Sequence, residues 1–154
     1  MRFSSPKRGV LHQPLLYLSA YLKQHRALYY DRLMAVRTAG DWEGWLKFFL
    51  LGVREVSESA TRTARSILEL REAHRRLLRQ HASGTTYSLA LLDYLFEHPL
   101  LTIRMAEHHL ECSYVTASKT MELLREVGIL QEMTGGQRNR RYRYVPYLAL
   151  FTEA

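Results

Sequence analysis

The chain has 154 residues, 47% hydrophobic and 24% charged, with 22 Lys+Arg against 15 Asp+Glu and one cysteine. That balance excludes a disordered chain and an internal disulfide framework, and it supplies enough apolar side chain for one moderate core or two small ones. The charge is lopsided: residues 1 to 86 carry 15 Lys+Arg against 7 Asp+Glu, whereas from Tyr87 onward 7 basic residues face 8 acidic ones. A basic surplus of this kind fits a contact with nucleic acid or an acidic partner, or a charged helix surface kept soluble by repulsion.

Residues 1 to 13 are polar and basic and read as a loose lead-in. Pro14 opens a helix whose segment LLYLSAYL is apolar on most sides and wants cover. The next helix, about His25 to Thr38, sets Leu28, Tyr29, Leu33 and Val36 inward, and Ala39-Gly40 ends it. Asp41 caps the third helix. From Trp42 to about Arg79 the spacing of Trp45, Phe49, Val53, Val56, Ala60, Ala64 and Ile67 predicts one unbroken helix, about 57 Å long at 1.5 Å per residue. Its opening, WEGWLKFFLLGV, is apolar almost all round, so burial by the two preceding helices is expected, with Trp42, Trp45, Phe48 and Phe49 as core. Farther on, LELREAHRRLLRQ offers i,i+4 partners such as Glu72 and Arg76, and the helix reads as a spacer or a dimer seam. The predicted organisation is a helical unit over 1–80, including the long helix 41–79, a linker over 81–86, and a second unit over 87–154.

In the second unit, Ser88 to Leu100 predicts a helix broken by Pro99, with Leu89, Leu92, Tyr94 or Leu95, and Phe96 as the floor of a small core. Ile103 to Leu110 predicts another, with an apolar stripe from Met105, Ala106 and His109/Leu110, and then a turn at Glu111-Cys112. Ser113 or Thr116 can cap a third helix of this unit. Its residues Ala117, Met121, Leu124 and Val127 face the core, and Tyr114, Ser118, Lys119, Glu122 and Arg125 turn outward. Gly128 stops it. Beyond it the period changes: Ile129 to Met133 is short and extended, Gly135-Gly136 allows a turn, and Arg140 to Val145 alternates in strand fashion. Tyr142 and Tyr144 share one strand face, Arg141 and Arg143 the other, with Arg138 and Arg140 near the tip. Val145, Pro146, Tyr147, Leu148 and Phe151 supply a last apolar patch.

Helix, tight turn, helix and an arginine-loaded hairpin make a winged helix-turn-helix. Such a fold sets the start of its second helix into the DNA major groove, so Ser113, Tyr114, Thr116, Ser118 and Lys119 are candidate readout positions. Arg138, Arg140, Arg141 and Arg143 suit phosphate oxygens, which give affinity and register without sequence choice. Double-stranded DNA is the expected partner, bound by a homodimer. Winged helices also serve as protein-interaction modules, however, and an arginine-rich hairpin can be a solvated edge strand. No metal or other cofactor is expected: His108 and Cys112 share a helix face, but two ligands do not make a zinc site. Cys112 alone fits a reducing compartment and a cytoplasmic protein, with no run approaching a membrane span and no signal-peptide core in MRFSSPKRGV.

The segments QPLLYLSAYL, YYDRL and AVRTAGDWEGWLKFFLLGV resemble the stretch after the catalytic motif in Fic-family proteins, over roughly Arg8 to Leu70. Many members of that family carry a C-terminal winged helix after a long helix, which matches the rest of the chain. The resemblance implies a truncated Fic-type helical scaffold joined to a winged helix-turn-helix, mainly all-α with a small β-hairpin. In the family, a loop His-Pro-Phe-x-x-Gly-Asn-Gly-Arg supplies the general base and holds a nucleotide's phosphates. This chain lacks it, since His98-Pro99 continues as Leu100-Leu101. The inhibitory motif, a Ser or Thr four residues before Glu-Gly, is missing too, Ala39 standing at that place before Glu43-Gly44. No catalytic residue is therefore expected here. The implication is the C-terminal part of an adenylyl-transferring protein, with ATP and Mg²⁺ involved only if a catalytic half is present elsewhere, and with a protein target as the alternative partner.

Overall fold

The structure, a computed structural model, describes residues 12–81, 86–136 and 140–151, and residues 12–17 by their backbone alone. Most of the expected lead-in, the linker residues 82–85 and Arg138 lie outside the described residues. The elements are α1 His12–Gln24, α2 Arg26–Ala39, α3 Trp42–Gln80, α4 Thr86–Leu95, β1 Leu100–Thr102, α5 Ile103–Leu110, α6 Tyr114–Glu126, β2 Gln131–Glu132, β3 Arg141–Arg143 and α7 Val145–Ala149. Among the described residues the protein is mainly helical with one small antiparallel sheet, as its periodicity predicts. It divides into two compact units, Met1–Arg62 and Thr63–Ala154, and the division falls inside α3.

In the first unit, Gly40 adopts the left-handed backbone (φ +67°) that closes α2, and its N–H donates to the Val36 carbonyl at 3.1 Å. Asp41 then caps α3, its Oδ1 accepting from the Gly44 N–H at 2.9 Å. Aromatic rings dock the shorter helices on α3: Tyr21 lies 5.8 Å from Phe48, and Tyr29 lies 5.6 Å from Trp45. Gly52 permits that approach, because a Cβ there would sit 2.5 Å from the Tyr21 ring. The core expected here is nonetheless thin. Phe48 and Val56 are its buried apolar residues among those described, while Leu28 and Leu33, expected inward, are exposed, and Trp42, expected in the core, is 63% exposed. Two short helices cover only one arc of α3, and a segment apolar all round has more surface than that arc can hide.

The second unit has a continuous core. Leu78 from the end of α3 packs with Leu91, Leu92 and Leu95 of α4, Ala106 and Leu110 of α5, and Ala117, Met121 and Leu124 of α6. Asp93 on α4 fixes α3 from outside that core. Its carboxylate accepts from Arg71 at 3.1 and 3.0 Å and from Arg75 at 2.6 Å. Burial pushes the Asp93 carboxyl up, but the two guanidiniums outweigh that and hold it below its ordinary value. Helix α4 ends at Leu95, short of the expected Leu100. A helix cannot continue into Pro99, and the freed segment Leu100–Thr102 becomes β1, paired antiparallel to β3 with Leu101 opposite Tyr142. The third strand, β2, pairs on the other side of β3, so the sheet order is β1-β3-β2.

Thr102 caps α5, its Oγ1 accepting from the Met105 N–H at 3.3 Å. The buried stripe of this helix is Ile103, Ala106 and Leu110, and Met105, expected in it, is exposed because it sits about 100° round from Ala106. Glu111 takes a left-handed backbone (φ +48°) at the turn between α5 and α6. Gly128 does the same (φ +77°) after α6. The strand expected over Arg140 to Val145 is shorter: β3 covers Arg141–Arg143, and with Pro146 in its first turn the chain coils from Val145 into α7. Tyr144 begins that change, enclosed by Phe96 at 5.4 Å and Tyr147 at 5.6 Å, while its hydroxyl shares a 2.7 Å hydrogen bond with His74 Nδ1.

Candidate nucleic-acid interface

Helix α6 starts where the sequence predicts, and its first turn is built by hydroxyls. Ser113 Oγ accepts from the Thr116 N–H at 3.2 Å and lies 3.0 Å from Thr116 Oγ1. Two of the five candidate readout residues are thus engaged in holding the helix start, worth about 1 kcal/mol as a cap. Tyr114 and Lys119 are exposed, and Ser118 is half-buried. The spacing of Ala117, Met121 and Leu124, all fully buried, fixes that outward set.

Arg104, which periodicity does not single out, joins this surface. Its guanidinium lies 5.0 Å from the centre of the Tyr114 ring and donates to Glu107 at 2.8 Å. One ring therefore links the first helix of the motif to the start of the second. The only signal in the sequence would have been an arginine one turn ahead of a carboxylate.

On the wing, burial of Tyr142 and Tyr144 forces Arg141 and Arg143 to the solvent side of β3. Arg143 forks onto Gln131 Oε1, at 3.0 Å from Nε and 2.8 Å from Nη2, across the register that pairs the two residues. The Arg141 N–H donates to Thr134 Oγ1 at 3.3 Å, leaving its side chain exposed. Arg140 is tied back: its Nε donates to the Gly136 carbonyl at 3.0 Å and lies 3.8 Å from Glu132. Arg138 lies outside the described residues.

The face carries acid as well as base. Glu122 is bonded to Arg125, which is the chief reason that its carboxyl lies below its ordinary value, and the charge of Arg140 adds to the same effect. Arg140 is held more firmly protonated by the Tyr142 hydroxyl and by Glu132. Tyr87, Thr116, Lys119, Glu122 and Leu123 line a shallow groove between α4 and α6.

Such an arrangement can grip an anionic backbone, because Arg141 presents an exposed guanidinium whose fork matches phosphate oxygens and Arg143, engaged by the neutral Gln131, brings its positive charge to the same side of β3. Among the described residues, no three His, Cys, Asp or Glu side chains gather as a metal site, and no helix is long and apolar enough to cross a membrane. No known protein-family model matches the chain.

Proposed function

We propose that the chain binds duplex DNA through its C-terminal unit, with α6 in the major groove and β3 against the phosphates. The observation that carries this reading is the alternation on β3: Tyr142 and Tyr144 are buried, and Arg141 and Arg143 stand exposed beside a capped helix that presents Tyr114 and Lys119. A winged helix-turn-helix used in this way needs those two features together. The role is regulatory or adaptor-like and sits in the cytoplasm. The first unit is a Fic-derived scaffold on the wording of its sequence, with no catalytic motif and no cofactor of its own.

Fluorescence anisotropy of labelled duplexes over a salt series tests the proposal. Parent binding should weaken with salt, and a variant with Arg141 and Arg143 both replaced by Ala should bind less tightly with a shallower log-log slope, by about 0.9 for each lost phosphate contact. Equal slopes for the two proteins would remove the wing from the interface.

A second reading draws on the exposed Val115 and Tyr114 at the start of α6 and on the acids Glu122 and Glu126 along it. Apolar exposure beside carboxylates suits a protein target. On that reading the chain is the non-catalytic part of a protein AMPylase, and its winged helix holds the target. Competition decides between the two: unlabelled duplex displaces a bound target only if both use the same face.

A further inference from the structure

Among the described residues of the first unit, a stripe of large apolar side chains on α3 stands exposed. Trp42, Leu46, Leu50 and Val53 recur along α3 at spacings of four, four and three, within an arc of about 80° at 100° per residue, and all four are exposed. Leu33 and Met34 on α2 are exposed as well. Trp45, on which Tyr29 docks at 5.6 Å, belongs to the arc of α3 that α2 covers, and the exposed stripe runs beside that arc. Monomeric surfaces rarely leave apolar patches beyond a few hundred Å² bare.

We infer that this face is the interface between two copies of the chain, with their α3 helices packed antiparallel about the midpoint of the stripe. The charges select that occupant and that direction. Beside the stripe run Glu43, Lys47, Arg54 and Glu58, which pair within their own helix as Glu43–Lys47 at 2.6 Å and Arg54–Glu58 at 3.9 Å. In the antiparallel arrangement Leu46 of each copy meets Leu50 of the other, and Glu43 of each lies opposite Arg54 of the other. A parallel pairing sets every charged residue at the height of its own counterpart and gains no such contact. Trp42 closes each end against the other copy's Val53 and Arg54, where an aromatic face and a guanidinium attract one another. This inference rests on the first unit alone and stands apart from DNA binding.

Sedimentation velocity on the full chain, over the micromolar range and without DNA, tests it. The parent should sediment as a dimer. Leu50→Glu should raise the dissociation constant at least tenfold with an unchanged far-ultraviolet circular dichroism spectrum, since Leu50 is 61% exposed and its replacement leaves the fold intact. Glu43→Arg should also weaken the dimer, and adding Arg54→Glu to it should restore most of the loss. A monomeric parent throughout the range would overturn the inference, as would a dimer indifferent to Leu50→Glu. A double variant no tighter than Glu43→Arg alone would overturn the antiparallel register.

Discussion

Replacing Asp93 by Asn keeps the volume of the side chain and removes its charge at the point where α3 is tied to α4. The loss can be worked out from three hydrogen bonds, two from Arg71 and one from Arg75. Bonds to an ionised acceptor contribute about 1.5–3 kcal/mol each when shielded and roughly half as much to a neutral amide oxygen. The side chains of Asp93 and Arg71 are 38% and 40% exposed, so solvent screening cuts that sharply, and about 1–2 kcal/mol in total remains. Part of the cost falls on Arg75, whose buried Nε has no partner of its own. In urea the unfolding midpoint of the second unit should drop by about 0.5–1 M with its m-value unchanged. The difference also depends on pH with a defined sign. Because the folded carboxyl titrates below its ordinary value, its contribution is complete above the unfolded carboxylate pKa of about 3.9 and disappears as pH falls through the lower folded value. Parent and variant should therefore differ at neutral pH and converge in acid below about pH 4. A midpoint equal to the parent's at neutral pH and low salt would refute the reasoning and leave the two ion pairs as ornaments of a surface.

The His74–Tyr144 bond gives a second pH effect: burial lowers the His74 pKa, so its contribution is present above the ordinary histidine value of about 6.5 and is lost as pH falls through the folded value. Stability measured by urea at pH 5.5 and 7.5 should thus fall in acid for the parent and much less for His74→Gln; equal falls would count against it. Leu78→Ala should destabilise the second unit by about 2–5 kcal/mol, because a fully buried side chain leaves a cavity among α4 and α6, and thermal unfolding would show whether the end of α3 belongs to that core. Tyr114→Ala should weaken DNA binding without changing the salt slope by a full phosphate contact, and a slope lowered by about 0.9 would mean that the ring acts chiefly by holding Arg104 on a phosphate.

Helices α5 and α6 were legible because each signal repeats at several positions: Ser113 as a cap, apolar residues at three and four spacings, Gly128 as a stop. The wing was legible for the same reason in miniature, Tyr and Arg alternating over Arg141 to Tyr144. Strand β1 was not, since Leu100–Thr102 is three residues long and an apolar run that short has no period to measure. Only its pairing with β3, some forty residues on, makes it a strand. The ties of Asp93 to Arg71 and Arg75 were equally hidden, because they link residues 22 and 18 apart on different helices and not one turn along the same one. In the first unit, periodicity marked which side chains are apolar but carried no information on how many helices would be there to cover them. Of the candidate site, the outward positions could be read from the inward ones and Ser113 from its place as a cap, whereas the stacking of Arg104 on Tyr114 depends on side-chain geometry that spacing does not encode.

The mixed charge around α6 bears on how such a surface would choose its DNA. Sequence-independent affinity comes from neutralised phosphates, and here Arg140 and Arg125 already have carboxylates beside them in Glu132 and Glu122. Arg141 and Arg143 then carry most of the available phosphate contact among the described wing residues. A weak non-specific grip raises the share of binding energy that must come from base edges, and hence from the exposed residues at the start of α6. Neutralising one of the acids tests this directly. Glu122→Gln should release Arg125 toward phosphate, strengthening binding to unrelated duplexes and steepening the salt slope by about 0.9. If affinity for unrelated duplexes is unchanged, Glu122 does not restrain Arg125, and the selectivity argument fails.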